Sequence, residues 1–119
     1  MLDNKLAAYA LSPEVRPRIL ARTRDYVRKG YVLFEHWAKS HGDLFAWVPP
    51  QAAPIVLARF HSYINSTEFG MRLINEYSVE IVPGDHFGMD GYLRFSFGLP
   101  EDYLREGLDR ITQLITKMR

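Results

Sequence analysis

A run of apolar side chains spaced three to four residues apart constrains this chain more than any other feature. The run begins near Arg16 and predicts one long amphipathic helix. Ser12-Pro13-Glu14 is a helix-start signal, but Pro17 places the start of the main helix near Arg16. About 25 residues of helix span roughly 37 Å, so we expect the helix to reach beyond the core of its own domain. The apolar positions are Ile19, Thr23, Tyr26 or Val27, Tyr31, Phe34, and Trp37 or Ala38.

Shorter elements flank this helix. Residues 2 to 11 favour a short helix or a docking arm, and Pro49, Pro50 and Pro54 mark a loop. Asn65 and Glu68 stand at capping-box spacing, which predicts a helix over about 66 to 77. A last amphipathic helix opens at Pro100. The segments that read as strands are Leu44 to Val48, Ile55 to Phe60, Val79 to Val82 and Tyr92 to Phe97.

This order of elements predicts the fold class. A helix, two strands, a helix, two strands and a helix form an α+β domain with a small, mostly antiparallel sheet of about four strands. Helices, including the long one near the amino terminus, should cover one face. A chain of 119 residues is enough for a single domain, so we treat 1–119 as one unit.

Composition excludes several functional classes. The formal charge of +1 provides no general attraction for nucleic acid or an acidic membrane. The chain has no cysteine, which removes disulfides and thiolate chemistry. No signal peptide or membrane-spanning stretch is evident, so a cytoplasmic protein without membrane or nucleic-acid partners is expected.

The stretch from Val82 to Gly98 is the most informative for function because it places an arginine inside a strand. Side chains alternate along a strand, so Leu93, Phe95 and Phe97 should face one way and Arg94 the other. A guanidinium on a rigid strand beside a glycine-rich loop can hold a carboxylate or phosphate through two parallel hydrogen bonds. The alternative is a solvated edge-strand arginine, or one paired with an aspartate of the loop, Asp85 or Asp90.

The same stretch resembles the carboxyl-terminal end of class I/II aminotransferases, enzymes of fold type I that use pyridoxal phosphate (PLP). The pattern is Pro-Gly-x-x-Phe-Gly-x-x-Gly-Tyr-Leu-Arg-Phe-Ser-Phe-Gly, followed by Pro-Glu and an amphipathic helix. Elsewhere the resemblance is mainly one of order and length, and includes the long helix over Arg18 to His41. The resemblance implies that Arg94 binds the substrate α-carboxylate and that Gly84 and Phe87 are neighbours of the site.

The resemblance also implies what this chain lacks. In that family a large domain supplies the lysine that forms the Schiff base with PLP, and none of the four lysines here lies in a plausible PLP pocket. They are Lys5, Lys29, Lys39 and Lys117. We therefore expect a C-terminal small domain, as a fragment or a shortened gene product, without catalytic or cofactor-binding residues and inactive alone.

The parent protein implied by the resemblance is a PLP-dependent enzyme, and homodimeric. It would transfer an amino group between an amino acid and a 2-oxo acid, with a large PLP-binding domain as the partner of this one. The side chain of the amino acid cannot be read from this segment, because much of its recognition belongs to the missing domain and the partner subunit.

Other readings of the residues stay open. A non-catalytic, ligand-sensing α+β module would retain the carboxylate-binding arginine, whereas Tyr92, Phe95 and Phe97 faintly resemble the aromatic strand of RNA-binding modules. The histidines predict no metal site, since His36 and His41 are five residues apart instead of four. His86 could reach a ligand, although a turn histidine bonded to nearby backbone is the simpler interpretation. Trp37 and Trp47 are expected in the core or at a domain interface.

Overall fold

A computed structural model describes all residues, 1–119. It contains four α-helices and a four-stranded sheet. The helices are α1 (Leu2–Ala10), α2 (Arg16–Ser40), α3 (Ser66–Tyr77) and α4 (Glu101–Met118). The strands are β1 (Phe45–Trp47), β2 (Ile55–Phe60), β3 (Val82–Pro83) and β4 (Tyr92–Ser96), in the order β1-β2-β4-β3 with every pair antiparallel. The predicted α+β class and the long helix near the amino terminus are confirmed.

The core lies between the helices and one face of the sheet. Val56, Ala58 and Phe60 of β2 alternate with more exposed residues, as do Leu93 and Phe95 of β4. Phe34 of α2 packs its ring against several core aromatics, as expected for a helix that covers the sheet. The opposite face, called the uncovered face below, carries Ala46, Ile55, Leu57, Arg59, Tyr92, Arg94 and Ser96.

Helix α2 contacts the core of the domain from Val27 onward. Its buried residues begin at Gly30, and a Cβ there would overlap the carbonyl oxygen of Phe97. Glycine therefore allows the helix to approach the end of β4 closely. The first half projects away, consistent with a principal-axis extent of 51 Å. Trp37 and Trp47 both contact the core, and the Trp37 indole donates to Thr112 Oγ1 of α4 at 2.9 Å.

Several boundaries differ from the prediction. The predicted strand at 44–48 is shortened, because Gly42–Leu44 forms a 3₁₀ turn before β1. The strand predicted at 92–97 ends one residue early, at Ser96.

The largest difference concerns the strand predicted at Val79 to Val82, of which only Val82 pairs, together with Pro83. The carboxyl-terminal cap of α3 explains why. Ser78 adopts a left-handed conformation at φ 55°, and the Val79 amide donates to the Leu73 carbonyl at 3.2 Å. This cap fixes the direction of the chain as it leaves α3, so residues 79–81 remain outside the ladder. None of the four helices combines the length and the apolar character that spanning a bilayer requires.

Candidate functional site

Arg94 lies in β4, which has a paired strand on each side. Its neighbours Leu93 and Phe95 are buried, whereas Arg94 is exposed on the uncovered face. Leu57 of β2 and Val82 of β3 lie directly opposite it in the register. Cross-strand partners share a face, so the arginine stem stands between two apolar side chains. Arg94 thus lies on an inner strand of the sheet, which contradicts the alternative of an edge-strand arginine, although its side chain is exposed.

Arg94 has no ionic partner within the chain. It takes part in none of the six salt bridges. The predicted alternative of pairing with Asp85 or Asp90 is wrong, because both carboxylates bond to the start of α3 instead. A free guanidinium keeps all five N–H donors available for an acid from outside the domain.

The loop before β4 is tightly folded around Gly84. This residue is buried, its carbonyl accepts from the Met89 amide at 2.8 Å, and a Cβ on it would overlap the Met89 carbonyl and come within 2.7 Å of the Tyr92 carbonyl. Gly84–Phe87 forms a 3₁₀ turn that ends at Gly88 with φ 78°. Phe87 is exposed at the surface of this turn. Gly84 therefore shapes the loop through its backbone, whereas the Phe87 side chain is exposed to solvent.

A polar cluster holds this loop against the start of α3. The fully buried Ser66 hydroxyl lies 3.1 Å from Asp85 Oδ1 and accepts from the Asp85 amide at 3.1 Å. Thr67 Oγ1 donates to the same carboxylate, and Asp90 Oδ1 accepts from the Ser66 amide at 3.0 Å. Backbone N–H groups of Ser66 and Gly91 lower the pKa of Asp90. Both carboxylates also suit the positive end of the helix.

The members of this polar cluster are far apart in the sequence. The Asn65 cap was predicted, and its side chain accepts from the Glu68 amide at 2.8 Å. Two aspartates in a glycine-rich loop were the available signal for the rest, but their partners lie 18 to 24 residues away in sequence. Spacing alone could not connect them.

A cavity of about 580 Å³ opens beside β4. Arg94 lines it together with Ser96, and the other walls come from residues 78–82 and from α4. Leu99, Leu104 and Ile111 provide apolar surface, while Glu80, Glu106 and Arg110 bring charges of both signs. Gly84 and Phe87 do not line this cavity, so the structure does not bring all three predicted site residues to one pocket.

The histidines do not converge. No group of three or more His, Cys, Asp or Glu side chains is arranged to hold a metal ion. The His41 ring meets the Trp37 ring edge to face at a centroid distance of 4.9 Å, and its Nε2 lies 3.3 Å from Thr112 Oγ1. Burial and the charge of Arg119 lower the pKa of His41. His86 is exposed in the 3₁₀ turn.

The aromatic residues of β4 do not form an RNA-binding surface. Phe95 and Phe97 are buried in the core, where Phe95 packs against Phe34 at a centroid distance of 5.1 Å. Stacking on bases requires exposed rings. This arrangement contradicts the RNA-binding alternative.

Comparison with known proteins gives a consistent result. Residues 9–111 match the family described as aminotransferase class I and II. The protein of Bacillus subtilis named "Probable N-acetyl-LL-diaminopimelate aminotransferase" is 37% identical over 75 residues, which are 60% of this chain and 19% of that protein. Aspartate/prephenate aminotransferase of Nitrosomonas europaea is 32% identical over 83 residues, which are 68% of this chain and 21% of the relative.

A solved structure shares the fold of the whole chain. A PLP-dependent aminotransferase from Streptococcus suis superimposes with a TM-score of 0.90 at 24% identity, covering 100% of this chain and 31% of that one. The chain thus spans about a fifth of the length of these two curated relatives and about a third of the solved structure. Because the family match extends over most of its residues, the chain belongs to the class I and II aminotransferases.

Proposed function

We propose that this chain is the C-terminal small domain of a PLP-dependent aminotransferase and that Arg94 binds the α-carboxylate of the amino acid or 2-oxo acid substrate. The observation that carries the assignment is the free guanidinium of Arg94 at the centre of the uncovered face. A planar guanidinium binds a carboxylate through two parallel hydrogen bonds and so fixes its orientation as well as its position. In an aminotransferase, this orientation would align the bond to be broken.

The surroundings of Arg94 suit that role. Leu57 and Val82 flank it across the sheet and would exclude water from an ion pair once another domain covers the face. Electrostatic attraction strengthens as the local dielectric falls. Tyr92 precedes it on the same face at the end of the Gly84 loop, so this loop stands beside the proposed acid site.

The residues of this chain do not fit PLP. Lys29, Lys39 and Lys117 are each engaged with a carboxylate on a helix surface, and Lys5 is exposed on α1. None lines the cavity next to Arg94. PLP acts as the electron sink of such reactions and needs a lysine to form its Schiff base. We propose that a large domain supplies this lysine and the residues that bind PLP. On this proposal the present chain is inactive alone.

Exposed apolar residues support a missing partner domain. Leu2, Leu6 and Tyr9 of α1 are exposed, and α1 has no buried residue. In the first half of α2, Ile19 and Tyr26 are also partly uncovered. Large apolar side chains exposed on neighbouring turns of helix are typical of an interaction site. We propose that the large domain covers it, and that the parent assembles as a homodimer.

Replacement of the matching segment in a relative tests the role of Arg94. This chain would replace the segment of Nitrosomonas europaea aspartate/prephenate aminotransferase that aligns with it, and aspartate would be the amino donor. In an active hybrid, Arg94→Ala should remove about 2–5 kcal/mol of transition-state binding, or at least about thirtyfold in kcat/KM. Arg59→Ala is the matched control, because Arg59 lies on the same face opposite Tyr92 and should change kcat/KM less than threefold.

Unchanged kinetics of the Arg94→Ala hybrid would refute the assignment. The absence of a lysine near Arg94 favours a second candidate, a sensor that binds amino acids without chemistry. Calorimetry of the isolated chain with free amino acids, with and without PLP, separates the two functions. Saturable binding of an amino acid by the chain alone would support the sensor. A heat of binding that is seen only after a large domain is added would support the aminotransferase.

A further inference from the structure

The first half of α2 concentrates the basic charge of the chain. Residues 16–29, called the basic segment below, contain six basic side chains and one acidic one, although the whole chain has a formal charge of only +1. The single acid, Asp25, pairs with Lys29 at 3.0 Å. Every residue from 16 to 26 is exposed, and the five arginines of the segment form no salt bridge. They are Arg16, Arg18, Arg22, Arg24 and Arg28.

The placement of these arginines is unfavourable for the helix itself. The first turn of α2 contains Arg16 and Arg18, no acidic residue and no side-chain cap, although the positive end of the helix dipole favours anions. Arg18 precedes Arg22 by four residues, and Arg24 precedes Arg28 by the same interval, so like charges are neighbours on the helix surface. Elsewhere in the chain this interval joins opposite charges, in five of the six salt bridges. A local conflict of this kind is expected where charges serve a partner outside the chain.

The apolar residues of the basic segment indicate the shape of that partner. Ile19 and Tyr26 are partly exposed and two helical turns apart, and Leu33, two turns further on, packs against the core. All three thus lie on the side of α2 where the body of the domain stands. A cavity of about 220 Å³ lies in the corner between α2 and Leu99. A flat membrane cannot enter this corner, because the body rises beside it, and nucleic-acid interfaces are more polar. The corner therefore suits a globular protein surface.

From this charge and shape we propose that the basic segment docks against an acidic surface of the large domain. The identity of the partner rests on the proposed function, whereas its acidic character rests on the arginines of α2. Arginine is enriched at protein interfaces, and its guanidinium binds a carboxylate through two parallel hydrogen bonds. Aspartates or glutamates of the large domain would contact Arg18, Arg22, Arg24 and Arg28, around an apolar contact with Tyr26. Docking would then relieve the repulsion between the paired arginines.

Charge reversal within the basic segment is the first test. The double variant Arg18→Glu/Arg24→Glu places a glutamate four residues before Arg22 and another before Arg28, which turns both like-charged pairs into opposite ones. Amide exchange over residues 19–28 of the 119-residue chain should therefore slow by at least about threefold. Faster exchange would show that the arginines stabilise α2 by themselves, and would overturn the proposal.

The matched control has the same change in charge on other helices. Arg72→Glu/Arg105→Glu breaks the salt bridges of these arginines with Glu76 and Glu101. Amide exchange in α3 and α4 should become faster in this variant, because opposite charges are replaced by like ones. The two double variants should thus change helix stability in opposite directions.

Binding of an acidic peptide is the second test. The probe is acetyl-Glu-Leu-Glu-Glu-Leu-Leu-Glu-Glu-Leu-Glu-amide, and a peptide with lysine at each glutamate controls for apolar contact alone. Titration of the ¹⁵N-labelled chain with the acidic peptide should give saturable shifts in α1 and the basic segment. Arg18→Glu/Arg24→Glu should weaken this binding at least about tenfold, and Arg72→Glu/Arg105→Glu less than about threefold.

Several results of the titration would overturn the proposal. They are the absence of saturable shifts at millimolar acidic peptide, shifts outside α1 and the basic segment, and equal binding of the lysine peptide. Tighter binding to a short single-stranded oligonucleotide, or to phosphatidylcholine vesicles with about one-third phosphatidylserine, would also overturn it. Neither test involves Arg94 or PLP, so their failure would leave the kinetic test of the proposed function intact.

Discussion

The hydroxyl of Ser66 lies 3.1 Å from both the amide nitrogen and the Oδ1 atom of Asp85. Ser66 is fully buried, and the same oxygen is 3.2 Å from Asp90 Oδ1. One side chain at the start of α3 thus fixes both ends of the loop that leads into β4. This loop precedes the strand that carries Arg94, so the cluster links helix packing to the position of the candidate site.

We predict that Ser66→Ala destabilises the domain. The substitution removes the acceptor of the Asp85 amide and one donor to Asp85 Oδ1, and should lower the free energy of unfolding by about 1–3 kcal/mol. Urea denaturation measures the loss, and faster amide exchange over residues 85–91 should accompany it. Ser62→Ala is the control, because Ser62 accepts only one weak bond at 3.4 Å and should change stability by less than about 0.5 kcal/mol. Equal losses of stability in the two variants would contradict the proposed role of Ser66 in holding the loop.

Substitution by alanine at two helical glycines should change the free energy of unfolding in opposite directions. A Cβ at Gly30 would overlap the Phe97 carbonyl, so Gly30→Ala should cost about 1–3 kcal/mol as α2 is pushed from the sheet. Gly107 of α4 has no atom near the added methyl group, so Gly107→Ala should stabilise by about 0.5–1 kcal/mol through helix propensity. Thermal unfolding checks both variants. A stabilised Gly30→Ala protein would show that α2 does not approach β4 this closely.

His41 should make stability depend on pH. Burial first, and Arg119 second, lower its pKa below 6.5, so the unfolded chain takes up the proton before the folded one. The free energy of unfolding should therefore fall as the pH drops through about 6.5, and be retained above it. Urea midpoints at about pH 7.5 and about pH 5.5 measure this dependence, which His41→Gln should reduce. His36→Gln, an exposed change on α2, is the control, and an equal reduction in that variant would refute the role of His41.

The local parts of the fold could be predicted from sequence. The capping pattern of Asn65 and Glu68 defined the start of α3, and the branched residues of β2 defined that strand at both ends. The bounds of the third strand could not be predicted. Residues 79–81 favour the β conformation, but the cap at Ser78 keeps them from pairing with β4. The alternation along β4 placed Arg94 opposite the core, but the contact of Ser66 with Asp85 joins residues that local patterns do not relate.

Substitution of Arg94 should leave the stability of the isolated chain unchanged. Arg94 is exposed and forms no salt bridge, so Arg94→Ala should change the free energy of unfolding of the isolated chain by less than about 0.5 kcal/mol. Leu93→Ala, one residue earlier in β4 and fully buried, should cost about 2–5 kcal/mol. Denaturation curves of the two variants provide the comparison. A loss above about 1 kcal/mol for Arg94→Ala would indicate that the guanidinium supports the sheet, and lost activity in the hybrid enzyme could then reflect structural damage. With stability unchanged, a loss of activity in the hybrid would support the proposed contact of Arg94 with the substrate carboxylate.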